Sequence, residues 1–172
     1  MTTAKLRYRY FLELQGRSYK IDTLPTGFKI TALQPDCYAG LSELLIAAFH
    51  GTIDDEGETP EQAVVEIQDF LDGQRGGPPM FAESAIGISN GQIIGASMVA
   101  NWTKFEQPII TYMMIHPQWQ KQGLGKLLLR SSLTKIKLDA HERVWAIITK
   151  GNIGSETLFQ NHGFKQDTEF NG

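Results

Sequence analysis

Residues 109–133, read IITYMMIHPQWQKQGLGKLLLRSSL, constrain the fold more than any other stretch, because a strand, a glycine turn and an amphipathic helix follow without a break. Residues 109–115 are β-branched, aromatic or Met, too continuously apolar for a half-exposed strand, and they stop at His116-Pro117, where proline removes a backbone donor. This predicts a buried central strand. Leu124, Leu127, Leu128 and Ser131 then recur at helical spacing, while Lys126, Arg130, Lys135 and Lys137 take the solvated side.

The turn between them is Gln120-Lys121-Gln122-Gly123-Leu124-Gly125. Glycine permits positive φ and close approach of a ligand to the backbone, and the opening amides of a helix have no intrahelical partner. Such a nest suits an anion. The helix dipole, Lys121 and Lys126 add attraction for a phosphate. No G-K-[ST] closes a P-loop here and no G-x-G-x-x-G opens a dinucleotide site. On these residues alone, phosphate binding and close helix-to-strand packing stand as equal readings.

Ile115-His116-Pro117 followed by Gln120-x-x-Gly123-x-Gly125 resembles motif A of the GNAT superfamily of N-acetyltransferases, a [RQ]-x-x-G-x-[GA] turn that cradles the pyrophosphate of acetyl-CoA. Downstream, Asn152-x-x-Ser155-x-x-Leu158-Phe159-x-x-x-Gly163-Phe164 is similar to the family's N-x-x-A-x-x-L-Y-x-x-x-G-F. Two motifs in order and at matching distance are far more specific than either alone. The resemblance spans residues 28–164.

It implies an α/β fold of the mixed α+β kind: a strongly twisted sheet, splayed between its fourth and fifth strands and flanked by about four helices. Those strands correspond here to residues 109–115 and 143–149. The cosubstrate implied is acetyl-CoA, without a metal. Its cradle would be Gln120, Lys121, Gln122, Gly123, Leu124, Gly125 and Lys126. Main-chain groups of Met114, Ile115 and His116 would face the pantetheine, with Asn152 and Phe159 contributing from the second motif. A backbone amide near Met114 or Ile115 is the expected donor to the developing oxyanion.

One departure matters. The family's usual general acid is the tyrosine of L-Y-x-x-x-G-F, and Phe159 stands there. A phenyl ring has no proton to give, so thiolate leaves unaided, takes a proton from water, or uses another residue. His162, which titrates near neutrality, and Tyr112, a phenol on the central strand, are the candidate acids. Asp54, Asp55, Glu58 and Glu106, together with a water chain, are the candidate bases, the first three within an acidic segment in which Asp54, Asp55, Glu56 and Glu58 place four carboxylates among five residues. The plain reading of that segment is a solvated turn. The functional one makes Asp54, Asp55, Glu56 and Glu58 a mouth for a cationic amine, small molecule or peptide.

The remaining chain reads as one domain over residues 1–172. An added N-terminal hairpin is expected over residues 1–24, with strands at 6–14 and 19–24 about a turn at 15–18. The strand at 6–14 would cover a sheet edge left short after Gly163, or pair between the subunits of a homodimer. Residues 28–33 read as a strand, and Asp36 as the cap of a helix carrying Leu41, Leu44, Leu45, Ala48 and Phe49. Thr59, Pro60 and Gln62 form a capping-box pattern for a helix to about Leu71. Asn90-Gly91 joins strands at 80–89 and 92–101.

Sixteen basic against nineteen acidic residues, with no basic run, argue against nucleic acid as the principal partner. The single Cys37 excludes an intrachain disulfide. No signal-peptide core or long apolar run is present, so the expectation is a soluble cytoplasmic protein with no membrane partner. Acetyl transfer to an amine is the function the resemblance implies; a non-catalytic acyl-CoA-binding or sensing module of the same fold is the alternative that Phe159 permits.

Overall fold

The computed structural model describes residues 5–169. Its described strands form one mixed seven-stranded sheet. In chain order these are β1 (Arg7–Glu13), β2 (Phe28–Ala32), β3 (Ala85–Ser89), β4 (Gln92–Trp102), β5 (Gln107–Ile115), β6 (Arg143–Thr149) and β7 (Lys165–Gln166). The helices are α1 (Tyr38–Phe49), α2 (Pro60–Leu71), α3 (Leu124–Leu138) and α4 (Ile153–Asn161). Across the sheet the order is β2-β3-β4-β5-β6-β1-β7.

Local chemistry explains most boundaries. Asn90 and Gly91 have φ of 48° and 77°, the paired positive values of a type I′ turn, and β3 and β4 pair antiparallel around them. Thr59 accepts from the Gln62 amide while the Gln62 side chain accepts from the Thr59 amide, so the expected capping box opens α2. Asp36 does not cap. It lies in a short 3-10 turn that runs directly into α1, and no side chain caps either. β3 begins at Ala85 rather than near Met80, because Met80 turns its amide to the Val99 carbonyl and Ser84 hydrogen-bonds the Val99 amide.

Two apolar layers sandwich the sheet. On one face α1 and α2 bury Leu41, Leu44, Leu45, Ile67 and Phe70 against Ile86, Met98, Tyr112 and Met114. On the other, Leu129, Leu133, Ile136 and Phe159 of α3 and α4 pack over Ile110, Val144, Ala146 and Ile148. The continuous apolarity of β5 follows from this double cover.

The N-terminal expectation is half right. β1 pairs antiparallel with β6 along its whole length, from Arg7↔Thr149 to Glu13↔Arg143, and β7 adds a two-residue pairing on its far side. It therefore fills the edge beyond β6 within one subunit. Residues 19–24 form no strand, which corrects the hairpin. They lie along α3 instead: the Lys20 carbonyl accepts from Arg130, the Arg17 carbonyl accepts from Lys137, and Asp22 pairs with Lys126. Within 19–24 one backbone group, the Lys20 carbonyl, is thus satisfied by a basic side chain of α3 instead of by a neighbouring strand.

β5 and β6 are the two strands that part. Running parallel, they pair only at Ile109↔Trp145 and Ile110↔Ala146, then diverge. Where they separate, Tyr112 opposes Met98 and Ile110 opposes Val99, leaving Thr111 as an extra residue in β5. Such a bulge bends and twists the strand that carries it.

Candidate active site

The divergence leaves a cavity of about 530 Å³, walled by Ile110 to Met113 of β5 and Ala146 to Thr149 of β6. It opens towards α2 and the acidic segment on one side of the sheet and towards Asn152 and, in α4, Ser155 and Phe159 on the other. A single space thus crosses the sheet through the gap between the strands.

Main-chain direction in that gap follows from register. The His116 amide donates to the Ile94 carbonyl at 2.9 Å, so alternate residues, Met114 and Tyr112, also turn their amide and carbonyl towards β4. Ile115 and Met113 turn theirs to the opening. Of the residues expected to present backbone to a ligand, Ile115 is so placed. Met114 and His116 are committed to β4, and the Met114 side chain is fully buried. Met113, not singled out from sequence, takes the place of Met114.

Directly after β5 comes the glycine turn. Gly123 has φ of 84° and caps α3 in the left-handed conformation, with no side chain capping the helix. A Cβ there would meet no atom within 4 Å, so the space before it is open. The first intrahelical bond is donated by the Leu127 amide to the Gly123 carbonyl at 3.1 Å, which leaves the earlier amides for a ligand. By contrast, Thr59 and Asn152 cap α2 and α4 with their own oxygens. The uncapped start of α3 fits a pyrophosphate. Gln120 braces the turn by donating to the Ile115 carbonyl at 3.1 Å, and Gln122 donates to the Gln118 carbonyl at 2.8 Å. Lys121 is exposed, whereas Lys126 is held 3.2 Å from Asp22. Leu124 is buried in the core, and a Cβ at Gly125 would stand 3.4 Å from Leu158, an ordinary contact.

The acidic segment divides its labour. Asp54 lines the cavity and accepts from Thr149 Oγ1 at 2.5 Å and from Asn152 Nδ2 at 2.6 Å. Asn152 in turn caps α4 by accepting from the Ser155 amide. Glu56 and Glu58 also line the cavity, Glu56 within 3.4 Å of Arg7. Asp55 does not line it. Its carboxylate accepts from the Gly51 and Gly57 amides, which hold its pKa below the usual carboxylate range, and it staples its own loop.

The candidate acids separate as well. His162 lies outside the cavity: its Nδ1 donates to the Leu158 carbonyl at 2.7 Å and its Nε2 accepts from Arg130 at 3.2 Å. Burial lowers its pKa, keeping the imidazole neutral with both nitrogens engaged. Tyr112 does line the cavity, but its hydroxyl donates to Glu66 Oε1 at 2.7 Å. Burial and that carboxylate push the phenol pKa far up, so the proton stays on the phenol and points at Glu66. Phe159 lines the cavity while packing edge-on against Phe164, with ring centroids 4.9 Å apart.

Glu66 is the residue sequence reasoning missed. It sits on α2 between Val65 and Ile67, where a glutamate reads as part of a solvated face, yet it reaches Tyr112 and lies 3.3 Å from Arg75.

A family model described as "Acetyltransferase (GNAT) domain" matches residues 81–166, half of the chain. The chain belongs to the GNAT acetyltransferase family. Among solved structures, this GNAT chain is similar to a GCN5-related N-acetyltransferase from Sphaerobacter thermophilus, at 13% identity and a TM-score of 0.70 over 94% of this chain and 48% of that one. It therefore spans about half the length of that protein. A putative acetyltransferase from Salmonella typhimurium with its cofactor acetyl-CoA gives 19% identity and a TM-score of 0.63, over 81% and 80% of the two chains. A GNAT family acetyltransferase from Brucella melitensis in complex with acetyl-CoA gives 18% and 0.61, over 81% and 85%. These likenesses establish the fold. No curated protein sequence gives a significant match. Among the described residues no helix is long and apolar enough to cross a membrane, and no group of three His, Cys, Asp or Glu side chains could hold a metal.

Proposed function

We propose that this GNAT chain transfers an acetyl group from acetyl-CoA to a primary amine, most suitably a small cationic one, by direct attack in a ternary complex. The observation that carries the reading is the uncapped, left-handed Gly123 start of α3, set at the end of a strand that has parted from its neighbour. Gln120 to Gly125 would hold the pyrophosphate, and the Met113 and Ile115 main chain would hold the pantetheine. Acetyl-CoA supplies an activated carbonyl and a sulfur leaving group.

The protein's own part is orientation and electrostatics. The Ile115 and Met113 amides face the gap and can donate to an oxyanion forming there. Ile110 and Ile148, both nearly buried, give that space an apolar wall. The carboxylates of Asp54, Glu56 and Glu58 favour a cationic acceptor at the mouth. Phe159 donates no proton, His162 is turned away, and Tyr112 directs its proton to Glu66, so sulfur departs as thiolate or takes its proton from water. Soluble, cytoplasmic action would suit such a substrate, and the continuous β1–β6 pairing within one chain leaves that edge unused for a homodimer.

Calorimetric titration with acetyl-CoA and desulfo-CoA, followed by a thiol-release screen over amines, tests the assignment. Binding with release supports it, and no binding overturns it. Phe159 in place of the family's tyrosine favours one other reading, an acyl-CoA-binding module without turnover; binding with no release from any amine would establish that instead.

A further inference from the structure

The cavity contains two chemically different environments. Between the parted strands its walls are mainly Ile110, Met113, Ala146, Ile147 and Ile148 with their main chain, Thr149 at the end of β6 being engaged by Asp54, and an ammonium between the isoleucines would lose part of its hydration. That suits the attacking nitrogen, which must be neutral. Towards α2 the wall changes. Glu66 borders this cavity and also a second, more open one of about 460 Å³ that adjoins it along α2. It is the carboxylate at their junction that the fold holds most firmly, because Oε1 takes the Tyr112 hydroxyl at 2.7 Å and Arg75 Nη1 at 3.3 Å. Both of these contacts fall on Oε1. Arg75 does not reverse the local sign: four carboxylates, Asp54, Glu56, Glu58 and Glu66, line the inner cavity against two guanidiniums, Arg7 and Arg75.

Building on the acetyltransferase reading, we propose that Glu66 is a specificity-determining residue whose Oε2 grips a second, non-reacting ammonium of the acceptor. The acceptor class is then a diamine, or an amine that carries a further cationic group. One end reaches the apolar gap as a neutral nitrogen while the other remains charged at Glu66, at the junction with the outer cavity. Tyr112 and Arg75 are positioning residues: they fix the carboxylate that the second nitrogen meets.

The test compares diaminobutane with butylamine at saturating acetyl-CoA, in the full chain and in Glu66→Gln, which keeps an oxygen for Tyr112 but removes the charge. The full chain is expected to show a KM about tenfold lower for diaminobutane than for butylamine. Glu66→Gln should raise the diaminobutane KM about tenfold, with kcat and the butylamine KM changed less than about twofold. Equal use of the two amines by the full chain overturns the proposal without requiring any variant. So does a Glu66→Gln enzyme that loses kcat on both amines alike, or acetyl-CoA binding accompanied by no preference for the diamine. If acetyl-CoA itself does not bind, the site reading beneath the proposal falls with it.

Discussion

The two edges of β6 make opposite use of the same backbone. On one side β1 matches it residue for residue along seven positions; on the other, β5 pairs with it twice and leaves. Both edges carry the same inventory of amides and carbonyls. What differs is who satisfies them, and the difference shows that this site is made by withholding pairing as much as by placing side chains. A fully closed β5–β6 ladder would leave no gap to cross. Without β1, the same strand would be exposed on both sides and could not hold its half of the cavity in place.

The sharpest way to break the comparison is a charge on each side. Leu12 of β1 is 1% exposed, whereas Ile147 of β6, facing the gap, is 42% exposed. Leu12→Asp is expected to cost more than about 4 kcal/mol and abolish the cooperative urea transition, because a carboxylate would be buried without a partner. Ile147→Asp should cost less than about 1 kcal/mol in the same experiment while impairing acetyl transfer. If the two variants unfold alike, the open edge is as structural as the closed one.

Next in size is Gly123→Glu, which puts a negative side chain where Gly123 faces open space. Acetyl-CoA affinity measured by calorimetry should fall about a hundredfold, while the left-handed backbone costs about 1–2 kcal/mol of stability. Unchanged affinity would move the phosphate site elsewhere. Asp54→Asn is a smaller change, on the clasp that joins the acidic segment to Thr149 and Asn152. It should raise the KM for a cationic amine about threefold with acetyl-CoA affinity nearly intact. Loss of acetyl-CoA binding in this variant would show that the clasp serves the cofactor side instead.

The smallest effect is a pH dependence. Burial depresses the His162 pKa below its ordinary 6.5, so the unfolded chain takes up this proton first as the pH falls. Stability from this group is present above that value and declines as the pH falls below it. Thermal melts should show a shallower acid decline in His162→Gln. An identical decline would mean that other groups govern it.

Much of this was readable in advance, and the failures share a cause. Strand β5, the turn, α3, the capping box and the Asn90-Gly91 hairpin depend on neighbours within a few residues, and the structure has them. Residues 19–24 read as a strand returning after the turn at 15–18. What decides their path is Lys126, Arg130 and Lys137, more than a hundred positions later. Asp55 and His162 were attractive because their side chains can titrate. Their partners, the Gly51 and Gly57 amides and the pair of Leu158 and Arg130, give them other work. Glu66 escaped notice for the converse reason: only the folded sheet brings Tyr112 beneath it, and a lone glutamate on a helix has no local signature.

The closed edge also carries a cost in time. Glu13 and Arg143, partners at the end of the β1–β6 ladder, are 130 residues apart in the chain. During synthesis β1 is made well before β6 and must remain unpaired until β6 has been delivered. Long-range pairings of this kind close late, after their loop entropy has been met. The charges of β1, Arg7, Arg9 and Glu13, share one face with Phe11 and make the unpaired strand a poorer template for association.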